Sequence, residues 1–152
     1  MRSSGGWWAG RERSRYGFAM TTLTRVYETI LYCADLAGAG SFYAKVLGLR
    51  AIREDAELLD AFRLPNGGVL LLFDPKASAE PGRSVPSHGG TGPGHIAFSM
   101  APGAYGAWLG RLRGAGVAIE QEVTWKSGAR SIYVRDPAGN SVELVEGEIW
   151  GA

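Results

Sequence analysis

Asp136-Pro137-Ala138-Gly139-Asn140-Ser141-Val142-Glu143-Leu144 reads as a tight turn that returns the chain into a strand. Its counterpart lies in the first half, where Arg63-Leu64-Pro65-Asn66-Gly67 answers Arg135-Asp136-Pro137-Ala138-Gly139: each is a strand that ends in a Pro/Gly turn and comes back as another strand. Tyr43 and Leu47 of one helical pattern likewise answer Trp108 and Leu112 of a second. A chain that repeats one plan at long period is built from two copies of one unit.

The plan is legible on both sides of the repeat. The first half reads as a strand (Arg25 to Cys33), a helix (about Ala37 to Leu47) and three strands (Arg50 to Arg53, Ala56 to Leu64, Gly68 to Phe73). The second reads as a strand (His95 to Met100), a helix (Gly103 to Ala115) and strands at 118–125, 130–135 and 141–145. This predicts an α+β fold of two tandem βαβββ modules, about 25–74 and 94–147. They are joined by a Pro-, Gly-, Ser- and Ala-rich linker at 75–93, inside one domain spanning 21–152. Each module alone leaves one sheet face without a cover, so the two side by side are expected to form a curved mixed sheet around a central pocket.

Composition narrows the function classes. The longest apolar runs, such as Val69 to Phe73, are strand-sized, well short of the roughly 20 residues of a membrane-spanning helix. The lone Cys33 excludes an intrachain disulfide and a multi-cysteine zinc site within one chain, and fits a reducing cytoplasm. Of the net charge of +1, residues 1–20 carry +3, so the remainder is slightly acidic and unlike a nucleic-acid surface. Residues 1–20 are expected to be a disordered extension or the product of an early start, with Met20 opening a shorter protein; their Arg-rich composition also fits an organellar targeting peptide.

Strand alternation selects candidate site residues. Glu28, Ile30 and Tyr32 share one face of the first strand, and Cys33 falls on the helix side with the core. In Gly94-His95-Ile96-Ala97-Phe98, the bulky Ile96 and Phe98 cover the helix and leave His95 on the open face. Glu143 points the same way between Val142 and Leu144, as do Ser131, Tyr133 and Arg135. Glutamates are seldom buried unless paired or metal-bound. Glu28, His95 and Glu143 together can hold a divalent cation and leave positions free for a substrate. Mn, Fe(II), Ni, Zn and Mg all suit that donor set. The alternative is a metal-free pocket in which His95 pairs with one glutamate.

Other residues carry two readings each. Tyr133 is a candidate donor to substrate. His88, in Ser87-His88-Gly89-Gly90, is a mobile acid-base or substrate-gripping group over the pocket mouth, or a solvated loop histidine. Arg135 is an anion grip, or a turn pair with Asp136. Trp125 walls the pocket, or is simple aromatic packing.

On these residues the chain resembles the vicinal oxygen chelate superfamily, which includes glyoxalase I, fosfomycin-resistance thiol transferases, extradiol dioxygenases and bleomycin-resistance proteins. The resemblance covers about residues 25–147, through Glu28 to Leu36, Phe42-Tyr43-Ala44-Lys45-Val46-Leu47-Gly48-Leu49, Gly94 to Phe98 and Asp136 to Leu144. It implies metal ligands from the first and last strands of each module, which are Glu28, Leu71, His95 and Glu143. Leu71 cannot ligate. The four-ligand pattern of glyoxalase I is therefore not met, whereas the three-ligand arrangement of the fosfomycin enzymes matches in position, with Glu28 where they usually carry a histidine. Ser127, Ser131 and Tyr133 resemble the phosphonate-contacting strand of those enzymes, but the basic segment that helps grip the phosphonate is not recognisable here. Extradiol dioxygenases use two histidines and one glutamate, so Glu28 departs from them too.

The resemblance implies a homodimer acting on a small molecule, with three readings of its activity. The first is a metal-dependent enzyme of the glyoxalase or fosfomycin-resistance type that uses Lewis-acid catalysis on a substrate with adjacent oxygens. Glu143 and Tyr133 would then be catalytic, with Ser131, Tyr133, Trp125, Arg135 and His88 around the substrate. The second is a metal-free drug- or metabolite-binding protein. The third is an Fe(II) dioxygenase.

Overall fold

The computed structural model describes residues 22–151, so the expectation for residues 1–20 lies outside the described residues. The first module comprises β1 (Glu28–Tyr32), α1 (Leu36–Ser41) with a π-helical continuation (Phe42–Val46), β2 (Arg50–Asp55), β3 (Leu59–Arg63) and β4 (Val69–Phe73). After a short helix α2 (Pro75–Ala79), the second module repeats the order as β5 (His95–Ser99), α3 (Tyr105–Gly114), β6 (Ile119–Thr124), β7 (Arg130–Arg135) and β8 (Ser141–Glu146). The two βαβββ modules are as the sequence predicts. Helix α2 is an addition: Asp74 accepts from the Lys76 and Ala77 amides and Pro75 occupies the first turn, so a five-residue helix forms inside the linker.

Each module makes its own four-stranded sheet, ordered β1-β4-β3-β2 and β5-β8-β7-β6. The first and last strands of each module pair in parallel and the remainder antiparallel. Among the described residues the strand ladders end at β1 and β5, so the curved surface is two sheets rather than one continuous ladder. Duplication extends to the details. The β3–β4 and β7–β8 turns close with Gly67 N–H to Leu64 C=O and Gly139 N–H to Asp136 C=O, both 2.9 Å. Gly67 and Gly139 take φ of 82° and 87°, a region that glycine enters without a steric penalty. Strands β2 and β6 each slip register at the matching place, between Ala51 and Arg53 and between Ile119 and Gln121.

One core joins the modules. Leu31, Cys33, Tyr43, Phe62, Leu70 and Leu72 of the first pack in a single cluster with Leu112, Ile132, Val134, Val142 and Leu144 of the second. At its centre lies a buried polar clasp. Asp136 accepts at Oδ1 from the Ala138 and Asn140 amides (2.9 and 2.8 Å), and at Oδ2 from Asn140 Nδ2 (2.9 Å) and the Tyr43 hydroxyl (3.1 Å). Asn140 in turn accepts from the Gly94 amide at 2.7 Å and donates to the Tyr32 carbonyl at 3.3 Å. The β7–β8 turn of one module is thereby tied to β1 and the helix of the other.

Cys33 is wholly buried beside this clasp, in the core as its strand position predicts. Burial, and then the Asp136 charge, push its thiol from 9.0 up to about 12. The unfolded chain therefore releases this proton before the folded one does, and stability declines as pH rises from about 9 to about 12. At pH 8 the native protein is expected to react with a soluble aromatic disulfide only at its unfolding rate, and the urea-unfolded protein at once. Rapid stoichiometric labelling of native protein would contradict this burial.

Candidate metal and catalytic site

In the second module, Ile96, Phe98, Ile132, Val134, Val142 and Leu144 all turn toward the helix-side core. Alternation then sends His95, Ser131, Tyr133 and Glu143 to the opposite face of the sheet. Pairing brings them together: Glu143 stands between Ala97 of β5 and Tyr133 of β7, and His95 begins β5 opposite Ser141.

His95 Nε2 lies 3.4 Å from Glu143 Oε2, with the imidazole half exposed (52%) and the carboxylate almost covered (5%). The Tyr133 ring lies nearly parallel to the imidazole, 24° between planes and 6.4 Å between centroids. Burial first, then the hydrogen bond to Glu143 and its charge, push the Tyr133 hydroxyl up to about 12. Tyr133 therefore keeps its proton at neutral pH and is a donor. Behind the carboxylate, the Ser131 hydroxyl donates to Glu143 Oε1 at 2.6 Å, and the Trp125 indole N–H donates to Ser131 Oγ at 2.7 Å.

The His95–Glu143 pair fits a divalent ion in chemistry and spacing. Two donors bound about 2.1 Å from one ion lie about 3.0–3.4 Å apart at octahedral to tetrahedral angles. The half-exposed imidazole leaves the outer side open.

Glu28 does not join this pair within one chain. It lines a cavity of about 390 Å³ with Val69, Ala97 and Ser99, between the β1 and β5 edges. Among the described residues no three His, Cys, Asp or Glu side chains come close enough to share an ion. The reason is topological, because Glu28 opens an edge strand of the other sheet. Leu71 sits in a small apolar cluster with Leu59, Ala61 and Ile30. It pairs with Ala61 as Glu143 pairs with Tyr133, so the first module is apolar where the second is polar.

Four residues expected at the substrate are engaged elsewhere. Ser131 is fully buried behind Glu143, and the one indole N–H of Trp125 is given to it. Arg135 holds both Glu120 oxygens at 2.7 and 2.9 Å and the Gly139 carbonyl at 3.1 Å, so it braces its own hairpin rather than pairing with Asp136 or an anion. His88 is half-buried against the first module. Its Nδ1 is 2.9 Å from the Tyr32 hydroxyl and its ring stands edge-on to Phe73, which fastens the linker to the first module. The sequence signal for the Trp125–Ser131 contact was the β6–β7 hairpin, whose Thr124–Arg130 pair leaves these two residues flanking one turn.

Comparison with known proteins agrees with the duplicated fold. A family model described as Glyoxalase/Bleomycin resistance protein/Dioxygenase superfamily matches residues 25–144. No curated protein matches. Among solved structures, lactoylglutathione lyase from Agrobacterium tumefaciens is 37% identical, covering 86% of this chain and 98% of its own, with a TM-score of 0.80. A glyoxalase/dioxygenase from Nostoc punctiforme shares the fold at 22% identity, covering 86% of this chain and 96% of its own, with a TM-score of 0.65. A glyoxalase/bleomycin resistance protein/dioxygenase from Nocardioides does so at 24%, with coverage of 87% and 92% and a TM-score of 0.66. The duplicated βαβββ plan, the family match across both modules and the 37% identical relative show that the chain belongs to the glyoxalase/bleomycin resistance protein/dioxygenase superfamily.

Proposed function

We propose that this protein is a metal-dependent enzyme of the glyoxalase type, acting as a homodimer on a small substrate with two adjacent oxygens. The observation that carries the reading is the His95–Glu143 pair, two ligand-type side chains 3.4 Å apart on the open face of the second module. Two donors from one chain leave an ion short of protein ligands. Glu28, exposed on the first module and not grouped with the pair in its own chain, is the natural third, supplied by a second copy. A bound divalent ion would supply Lewis acidity toward the substrate oxygens. Glu143 holds or accepts a proton at Oε2, and Tyr133, protonated at neutral pH, donates to a substrate oxygen. The 37% identical lactoylglutathione lyase makes lactoylglutathione turnover the first activity to assay, although Leu71 leaves one position of the four-ligand pattern without a donor.

The lone buried thiol is compatible with a cytoplasmic location, and among the described residues no helix is long and apolar enough to cross a membrane. One observation favours the metal-free binding alternative. Among the described residues every buried side-chain nitrogen and oxygen already has a partner, Glu143 included. Metal analysis of protein purified without chelator separates the two readings, and oxygen uptake with catechol-like substrates tests the dioxygenase.

Subunit complementation tests the shared site. Glu28→Ala and Glu143→Ala are each expected to be inactive alone. After unfolding and co-refolding in equal amounts they should recover about a quarter of wild-type activity, because half the dimers are mixed and one of their two sites is intact. A fully active Glu28→Ala removes Glu28 from the ligand set. No recovery on mixing rejects a site built from two chains.

A further inference from the structure

The proposed function assigns no task to Trp125, yet the chain of contacts behind Glu143 has a direction fixed at both ends, by an indole that can only donate and a carboxylate that accepts. An indole N–H donates and cannot accept. Ser131 Oγ, receiving that N–H at 2.7 Å, has one lone pair occupied and its single proton left to place. The acceptor within reach is Glu143 Oε1, at 2.6 Å, the short distance of a hydroxyl on a carboxylate. Ser131 is fully buried, so no solvent competes for the hydroxyl. One carboxylate oxygen is thereby held from behind. The other, Oε2, faces His95 and the open side.

We propose that Trp125 is a positioning residue for Glu143, acting through Ser131 to fix the carboxylate so that it presents Oε2 alone to the site. The consequence for a bound ion, single-oxygen ligation by Glu143, rests on the metal-dependent reading; the orientation of the carboxylate does not. The first module supports treating the three residues as a set. Where the second has Ser131 and Glu143 on its open face, the first has Leu59 and Leu71 in the corresponding places of β3 and β4, and the polar chain is absent there altogether.

Two measurements decide the proposal. In metal-free protein the Trp125 indole N–H resonance is expected to be shifted downfield and slow to exchange. It should move in both Ser131→Ala and Glu143→Gln, neither of which alters the indole. A resonance indifferent to both changes overturns the proposal, and this arm needs no substitution at Trp125 except to assign the signal.

The second measurement uses Co(II) alone as the probe, read by its visible absorption. Trp125→Phe keeps an aromatic ring and removes the donor; Ser131→Ala breaks the chain at its middle. Each is expected to weaken Co(II) binding by about 10–100-fold, the usual effect of losing a ligand's hydrogen-bond partner. The double variant should bind no more weakly than Ser131→Ala alone, because the two changes interrupt one pathway. Effects that multiply independently, or unchanged affinity in Trp125→Phe, would show that Trp125 merely fills space. If the wild type binds no Co(II), the metal-dependent reading fails on its own, and the indole resonance alone upholds or rejects the role of Trp125.

Discussion

Asp136→Ala is expected to destabilise the protein by about 3–5 kcal/mol, a large fraction of the 5–15 kcal/mol that holds a domain of this size together. Asp136 is 3% exposed, and its two oxygens receive hydrogen bonds from Ala138, Asn140 and Tyr43. Truncation strands the buried Tyr43 hydroxyl and the buried Asn140 backbone amide, and each unpaired buried donor costs about 1–3 kcal/mol. Asp136→Asn preserves volume but turns an amide toward groups that already donate, so it should also lose stability. Tyr43→Phe, which removes one donor to a charged acceptor, should cost about 1.5–3 kcal/mol. Urea unfolding monitored by fluorescence and circular dichroism measures all three. Because the clasp joins the modules, the Asp136 variants are further expected to lose the coincidence of the two probes. An Asp136→Ala protein as stable as wild type would mean that the clasp contributes specificity of docking and little else.

Glu143→Gln is expected to abolish metal binding while leaving the metal-free protein nearly as stable as wild type. The amide keeps the carboxylate's shape and an oxygen for the Ser131 hydroxyl, so no buried donor is stranded. What it removes is the negative oxygen 3.4 Å from His95. Loss of a direct ligand should weaken binding by more than about a hundredfold, beyond the range seen when only a ligand's supporting partner is removed. Thermal unfolding with and without a divalent ion makes the difference visible. An ion at 100 times its dissociation constant stabilises the wild type by about 2.7 kcal/mol and the variant by almost nothing. Equal melting shifts in both proteins would place the ion elsewhere. No shift in either would favour the metal-free binding reading.

Much of this is legible in the sequence, for identifiable physical reasons. Side chains alternate with a period of two, so the apolar partners Ile96, Phe98, Val142 and Leu144 pointed His95 and Glu143 to the open face without knowledge of the sheet. The turns at Gly67 and Gly139 need a backbone region that glycine favours, which is why the repeat shows in the letters. Roles beyond the strand were harder. Arg135, Ser131 and His88 lie on or near the expected face, but which partner each takes depends on residues brought from elsewhere: Glu120, Glu143 and Tyr32.

The sequence by itself determined the duplicated βαβββ plan, the face on which each candidate ligand lies and the absence of a donor at Leu71. These follow from local periodicity and residue chemistry, which the neighbouring letters suffice to specify. Only the tertiary structure decided that His95 and Glu143 meet while Glu28 stands apart, that Trp125 and Ser131 serve the carboxylate from behind, and that Asp136 locks the modules together. Those outcomes depend on how two sheets and two helices pack. Packing is settled by contacts between residues far apart in the chain, to which strand periodicity is blind.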